Sequence, residues 1–195
     1  MIDARARAVL DRLERQDALE REQGLPRRQR LRQVTPDVGR LLHTLVLANR
    51  PRLVLEIGTS GGYSTVWLAT AARAIGATVL ALEIDSAKVE LATSNLRQAG
   101  VHDVVNVTHV DAFKYLRGRR EPIDFVFLDA EKEDYLPYLE LIVPLLPAGG
   151  LLVADNLISH ANELADFRER AESHPNLSAM IIPVGRGELL AVKIR

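Results

Sequence analysis

From residue 52 onward the chain alternates short apolar runs with longer stretches of helical spacing. The apolar runs fall near 52–57, 78–83, 104–109, 123–128 and 150–154. Short apolar runs of this length suit strands. Between them, apolar residues return every three or four positions near 63–75, 86–99, 111–117, 136–146 and 162–173, as on amphipathic helices. Strand and helix in regular alternation predict a parallel sheet with crossover helices. Two further β-rich runs, Ala179 to Val184 and Leu189 to Ile194, are separated by Gly185-Arg186-Gly187 and predict a terminal hairpin. That hairpin makes the sheet mixed.

Ahead of this pattern, Ile2, Ala6, Val9 and Leu13 form an apolar stripe on an otherwise charged helix over 1–22. The stripe either packs on its own domain or meets a second copy of the chain. Gly24 and Pro26 end the pattern. Thr35 as N-cap and Pro36 at the first helical position open a second helix to about Asn49, with Leu41, Leu42, Leu45 and Val46 as its buried stripe. Gly100 closes the helix that contains Val89 to Ala99. Pro137 fits a first helical turn, which leaves Glu133 to Tyr135 in a loop. The expectation is one domain over 1–195, with 1–34 as a helical N-terminal segment and 35–195 as its core.

Composition narrows the class. Apolar residues make up 47% and charged residues 26% of the 195 positions, enough to bury a full α/β core and too apolar for a disordered chain. A formal net charge of -1 offers no broad electrostatic attraction to nucleic acid, and Arg117, Arg119 and Arg120 read as a solvated turn. With no cysteine, disulfides, thiolate metal sites and a cysteine nucleophile are excluded. The early charges of Asp3, Arg5 and Arg7 do not make a signal peptide, and no run approaches the ~18 apolar residues of a membrane span. The expected location is the cytoplasm, without membrane contact.

The candidate chemistry centres on Leu53 to Ser64, where an apolar burst ends in a glycine-rich turn that feeds a helix. Gly58, Gly61 and Gly62 permit positive φ and close approach of a ligand to backbone amides. The turn is either an ordinary strand-to-helix connection or a nucleoside loop. Glu83, at the end of the next apolar run, favours the nucleoside, since its carboxylate can accept ribose hydroxyls. The spacing does not fit a dinucleotide, which would need glycine at Ser60 and Tyr63, and no Gly-Lys-Ser/Thr follows to make a phosphate loop. A turn with Glu56 just before it and no second close-packed glycine suits a nucleoside without phosphates, such as S-adenosylmethionine.

Oxygen-bearing side chains also stand just past two later strands: Asp129 after 123–128, and Asp155 and Asn156 after 150–154. Two carboxylates and an amide suit a hard cation, Mg²⁺ first, with Mn²⁺ or Ca²⁺ as alternatives. Either acid alone could simply cap the helix after its strand. Lys132, taken alone, is a surface loop lysine, and Tyr63 and Trp67 are helix packing residues as readily as ligand contacts. His43, His102, His109, His160 and His174 show no paired ligand spacing and read as structural or solvated.

The segment LEIGTSGGYS at 55–64 resembles the cofactor loop of the class I S-adenosylmethionine-dependent O-methyltransferases, and within them the metal-dependent group of catechol and caffeoyl-coenzyme A O-methyltransferases. ALEID at 81–85, HVDAF at 109–113, FLDAEKEDY at 127–135, GGLLVADN at 149–156 and IIPVGRGELLAVK at 181–193 resemble the same group in the same order. The resemblance covers the chain from about Arg32 onward. It implies a Rossmann-like, doubly wound seven-stranded mixed sheet with a C-terminal β-hairpin. It implies metal ligation by Asp129, Asp155 and Asn156 and a general base at Lys132. For the cofactor it implies Glu83 on the ribose, Gly58, Ser60, Gly62 and Ser64 around the methionine end, Asp111 and Ala112 beside the adenine and Val34 near the methionine. Glu56 and Asp129 complete the expected cofactor contacts.

The stretch between Asn156 and about Asn162 is short where similar proteins often carry an insertion that lines the acceptor site. The implied reaction is methyl transfer to a hydroxyl of a small catechol-like acceptor with divalent metal assistance, by a homodimer. Two alternatives stand beside it: methylation of a hydroxylated uridine in transfer RNA, against which the near-neutral charge weighs, and cofactor binding without catalysis.

Overall fold

The apolar runs pair into one seven-stranded sheet in the computed structural model, which describes residues 2–26 and 29–195. Residue 1 of the expected 1–22 helix lies outside these residues. The strands are β1 (Leu53–Ile57), β2 (Thr78–Glu83), β3 (Val105–His109), β4 (Phe125–Leu128), β5 (Leu151–Ala154), β6 (Leu177–Ile182) and β7 (Glu188–Lys193). Their order is β3-β2-β1-β4-β5-β7-β6. Pairing is parallel through β5 and antiparallel where β7 meets β5 and β6, as the expected terminal hairpin requires. Its strands begin two residues and one residue earlier than the sequence pattern suggests.

Among the described residues seven α-helices cover the two faces: α1 (Ala4–Glu22), α2 (Pro36–Asn49), α3 (Tyr63–Ile75), α4 (Ser86–Ala99), α5 (Ala112–Gly118), α6 (Tyr135–Ile142) and α7 (Ala165–Ser173). The period-2 alternation of the strands sorts their side chains. Val54, Phe125, Phe127 and Val153 join a core built with α1 to α4. Leu55, Val126, Leu128, Leu152 and Ala154 join a second core with α5 to α7. Caps follow local chemistry. Thr35 Oγ1 accepts from Val38 N with Pro36 at the first position of α2, and Gly100 closes α4 at φ 72°.

Three of the boundaries that differ from expectation have a local cause. Helix α6 stops at Ile142 because Pro144 has no N–H to continue the ladder, and a 3-10 turn over Val143–Leu145 takes its place. Tyr135 is not in a loop, since a 3-10 turn over Lys132–Asp134 runs directly into α6. Helix α7 starts at Ala165 because residues 157–164 wind as separate turns, with His160 N donating to Asn156 O and Leu164 N to His160 O. Among the described residues no helix is long and apolar enough to cross a membrane.

The stripe on α1 faces inward. Ala6, Val9 and Leu13 are buried in the first core and Ile2 packs partly buried against it, so the stripe packs on its own chain. Tyr63 and Trp67 are packing residues as well. Tyr63 Oη donates to Glu14 Oε1 at 2.7 Å, while Trp67 is 2% exposed beneath the Arg7 guanidinium and edge-on to His43. The indole lies so close to α2 that a Cβ at Gly39 would collide with it. Gly39→Ala should therefore cost about 1–3 kcal/mol of stability through overpacking, read as a lower urea midpoint at unchanged slope. An unchanged midpoint would show that the indole is free to shift.

Candidate active site

The strand order reverses between β1 and β4, and in open α/β sheets the crevice at such a reversal is where ligands enter. Gly58, the first residue after β1, has φ 95°. A Cβ there would strike the carbonyl of Asp129, the first residue after β4, so only glycine lets the two loops close together. Asp129 N donates to Ile57 O at 3.0 Å across the same gap. Ser60 ties the turn down: its Oγ donates to Leu31 O at 2.7 Å and its N–H to Glu83 Oε2 at 2.8 Å.

Beside this turn lies a cleft of about 330 Å³ lined by Gly58, Ser60, Glu83, Asp111, Ala112 and Asp129. The structure thus brings six of the expected cofactor contacts together. It does not bring Val34, Glu56, Gly62 or Ser64 to the cleft. Val34 is 5% exposed and packs in the core. Leu31 and Arg32 line the cleft in its place, and so does Ile84, an apolar side chain 69% exposed. Leu31 is held there because Glu20 Oε2 accepts its N–H at 2.7 Å while Ser60 takes its carbonyl. The only sequence signal for it is one leucine in a run of Arg and Gln. Glu83 is more committed than the sequence implies. Its Oε1 accepts from Ile84 N and Asp85 N at 2.9 and 3.0 Å while Oε2 accepts from Ser60. That leaves room for about one further strong hydrogen bond of the roughly four a carboxylate can accept.

Glu56 turns away from the cleft. It points to the face of the sheet that α3 covers, fully buried, and accepts from Ser64 Oγ and Thr65 Oγ1 in the first turn of that helix. Gly62 is the N-cap of α3 at φ 84°. Burial pushes the Glu56 carboxyl up to about 7, the two hydroxyls pull it back in part, and the Asp129 charge adds to the rise.

At the far end of the turn, acids gather. Lys132 is buried, and its Nζ donates to Asp129 Oδ1 at 3.2 Å, to Ala130 O at 3.0 Å and to Tyr135 Oη at 2.7 Å. Tyr135 Oη also reaches Leu128 O and Asp155 O. Burial, then the charges of Asp129, Asp155 and Glu188, hold the Tyr135 phenol well above its ordinary 10, so it stays protonated. Asp155 lies above the usual carboxylate range through burial and then the Asp129 charge. Glu188 is raised further by burial and then by Asp155, and as a carboxylate neither of its oxygens has a donor among the described residues. Sequence reading missed Tyr135 and Glu188. The three-residue steps from Asp129 to Lys132 to Tyr135 could have suggested the first, whereas nothing marks Glu188, the opening residue of β7.

Among the described residues no three His, Cys, Asp or Glu side chains are placed to hold a metal ion. A cation at Asp129 and Asp155 would need the Asn156 amide and water as further donors. The residues fit that requirement. Asn156 adopts φ 77°, a conformation asparagine tolerates, and its N–H donates to Asp155 Oδ1 at 2.6 Å. Among the described residues its Nδ2 is buried without an acceptor. Hard oxygen donors crowded with negative charge are what a small divalent cation takes.

Beyond Asp129 a second cleft of about 240 Å³ opens, lined by Asp129, Asn156, His160, Asp17 and four arginines, Arg21, Arg30, Arg32 and Arg186. His160, read from sequence as structural or solvated, lines this cleft. Asp129 and Arg32 line both clefts.

The sequence matches the O-methyltransferase family over residues 4–194. It is 40% identical over 136 residues to a catechol O-methyltransferase of Mycobacterium tuberculosis, an alignment covering 68% of this chain and 60% of that protein. The match therefore spans less than two thirds of that relative's length. The fold is similar to the O-methyltransferase from Bacillus cereus in complex with SAH, with TM-score 0.79, 29% identity, and coverage of 95% of this chain and 90% of that one. It is also similar to the O-methyltransferase TomG from Streptomyces achromogenes, involved in tomaymycin synthesis, in complex with SAM. There the TM-score is 0.80 at 29% identity, covering 94% of this chain and 89% of that one.

The Glu56 carboxyl makes stability depend on pH. Its folded value of about 7 lies above the ordinary 4.5, so its contribution is fully present below about pH 4.5 and is lost as pH rises through 7. Glu56→Gln removes that dependence. The melting temperature of the wild type relative to Glu56→Gln should be higher at pH 5 than at pH 7.5. An offset that does not change with pH would show that Glu56 titrates as an ordinary carboxylate.

Proposed function

Since the chain belongs to the O-methyltransferase family, we propose that it moves the sulfonium methyl of S-adenosylmethionine to one hydroxyl of a small vicinal diol such as a catechol, with Mg²⁺ assisting. The observation that carries this reading is the meeting of two clefts at Asp129. One has the glycine turn and ribose-type acid of a nucleoside site, and the other adjoins the oxygen donors. A cofactor in the first and an acceptor in the second would face each other across that residue. In-line displacement depends mostly on such positioning.

Glu83 holds the ribose with its remaining acceptor capacity, Asp111 and Ala112 flank the adenine, and Gly58, Ser60 and Asp129 border the methionine end. Glu56, Gly62 and Ser64 act one layer below by fixing the turn into α3, and Val34 anchors the segment that carries Leu31 and Arg32. Asp129, Asp155 and Asn156 would hold the cation, which would supply positive charge that lowers the pKa of the acceptor hydroxyl. Lys132 takes the hydroxyl proton on Nζ. Tyr135 supports it in either state, because its hydroxyl accepts from an ammonium and donates to an amine.

Glu83→Ala should weaken S-adenosylhomocysteine binding by about 1.5–3 kcal/mol, the range for hydrogen bonds to a charged group. Calorimetry giving unchanged affinity would remove Glu83 from the site.

Two further variants separate metal from base. Asp155→Ala should abolish turnover of catechol while S-adenosylhomocysteine affinity stays near wild type. Lys132→Ala should lower the rate by about 10²–10⁴, the usual share of general base catalysis, with partial recovery at higher pH. An unaltered rate in the second variant would leave Lys132 as a structural lysine, and turnover by the first would dismiss Asp155 as a ligand.

A further inference from the structure

The cleft beyond Asp129 has a charge pattern that the proposed reaction does not use. Two of its four arginines are already paired: Arg21 Nε lies 2.6 Å from Asp17 Oδ2, and Arg32 Nη1 lies 2.6 Å from Glu131 Oε1. Arg30 and Arg186 form no ion pair among the described residues. Among the described residues Arg30 Nε is buried without a hydrogen-bond partner, which is costly for a guanidinium N–H unless something accepts it.

Arg186 is presented by a rigid tip rather than a loose loop. Its carbonyl accepts from Ile158 N and Ser159 N, each at 3.0 Å, and Gly187 O accepts from Leu157 N at 2.8 Å. A Cβ at Gly187 would collide with Ile158. The hairpin is thus clamped onto the residues that follow Asn156, and Arg186 is fixed on the wall of the cleft. In a chain of net charge -1, two guanidiniums at one small cleft with no ion pair among the described residues are a local feature rather than a generally basic surface.

We propose that the acceptor carries an anionic group, a carboxylate or a phosphate, and that Arg30 and Arg186 receive it. The inference rests on the reading that this cleft holds the acceptor. Guanidinium groups bind such anions through paired, charge-assisted N–H donors. The same charges disfavour an amine-bearing catechol. A cleft of about 240 Å³ suits a single ring with a short acidic substituent.

The test is calorimetry on the full chain saturated with S-adenosylhomocysteine and Mg²⁺, with catechol, 3,4-dihydroxybenzoate and dopamine as probes. The benzoate should bind about 10-fold or more tighter than catechol, and dopamine weaker than catechol, as expected for gain or loss of a hydrogen-bonded charge pair. Arg30→Gln and Arg186→Gln should each shrink the preference of benzoate over catechol toward unity. Competition by benzoate alone assigns a carboxylate, and competition by inorganic phosphate alone assigns a phosphate.

Equal affinity for the benzoate and catechol would overturn the proposal, as would an unchanged preference in both variants. So would a matching loss of S-adenosylhomocysteine affinity, which would give the arginines to the cofactor's own carboxylate. Salt-dependent displacement of the benzoate by transfer RNA would give them to a nucleic acid instead. The two readings fail separately. Absence of methyl transfer to any diol defeats the reaction, whereas loss of the charge preference with transfer intact defeats only the anionic acceptor.

Discussion

The contact between Gly58 and the backbone of Asp129 is the constraint on which the rest of the site depends. Register places Ile57 beside Leu128, so the chain leaves β1 and β4 at neighbouring points, and the missing Cβ at Gly58 lets the two loops touch. The glycine turn and the loop after β4 line one cleft together, through Gly58, Ser60, Asp129, Ala130 and Glu131, and that loop reaches the other cleft at Asp129. Asp129 therefore belongs to both. Any side chain at position 58 would meet the Asp129 carbonyl and force the loops apart.

Charge is distributed unevenly around that contact. Asp129, Asp155 and Glu188 crowd the carboxyl ends of the central strands with Lys132 as the cation among them, while the wall of the second cleft carries arginine. Burying acids close to one another opposes folding, as the raised values of Glu56, Asp155 and Glu188 show. Local rules of stability are commonly broken where a chain does chemistry. Here the violations lie at the ends of β1, β5 and β7, around the proposed cation site.

Much of the fold was legible because its signals are local. Strand runs, the Thr35 cap, the Gly100 closure and the positions of Asp129, Asp155 and Asn156 past their strands follow from a few consecutive residues. What was not legible depends on neighbours distant in sequence. Glu188 meets Asp155 through the antiparallel pairing of β7 with β5, which no spacing reveals. The period of α1 shows that one face is apolar but not what covers it. Leu31 displaces Val34 from the cleft because Glu20 and Ser60 grip its backbone. Glu56 precedes the turn in sequence yet faces α3, since strand alternation sends it to the opposite side from Leu55 and Ile57.

Methyl transfer across Asp129 is tested most directly by incubating the protein with methyl-labelled S-adenosylmethionine, catechol and Mg²⁺, and repeating the incubation in excess chelator. A labelled monomethyl ether should form with the cation and fall to background in chelator, while S-adenosylhomocysteine still binds in both. Ether formed at the same rate in chelator, or no ether with cation and cofactor both present, would contradict it.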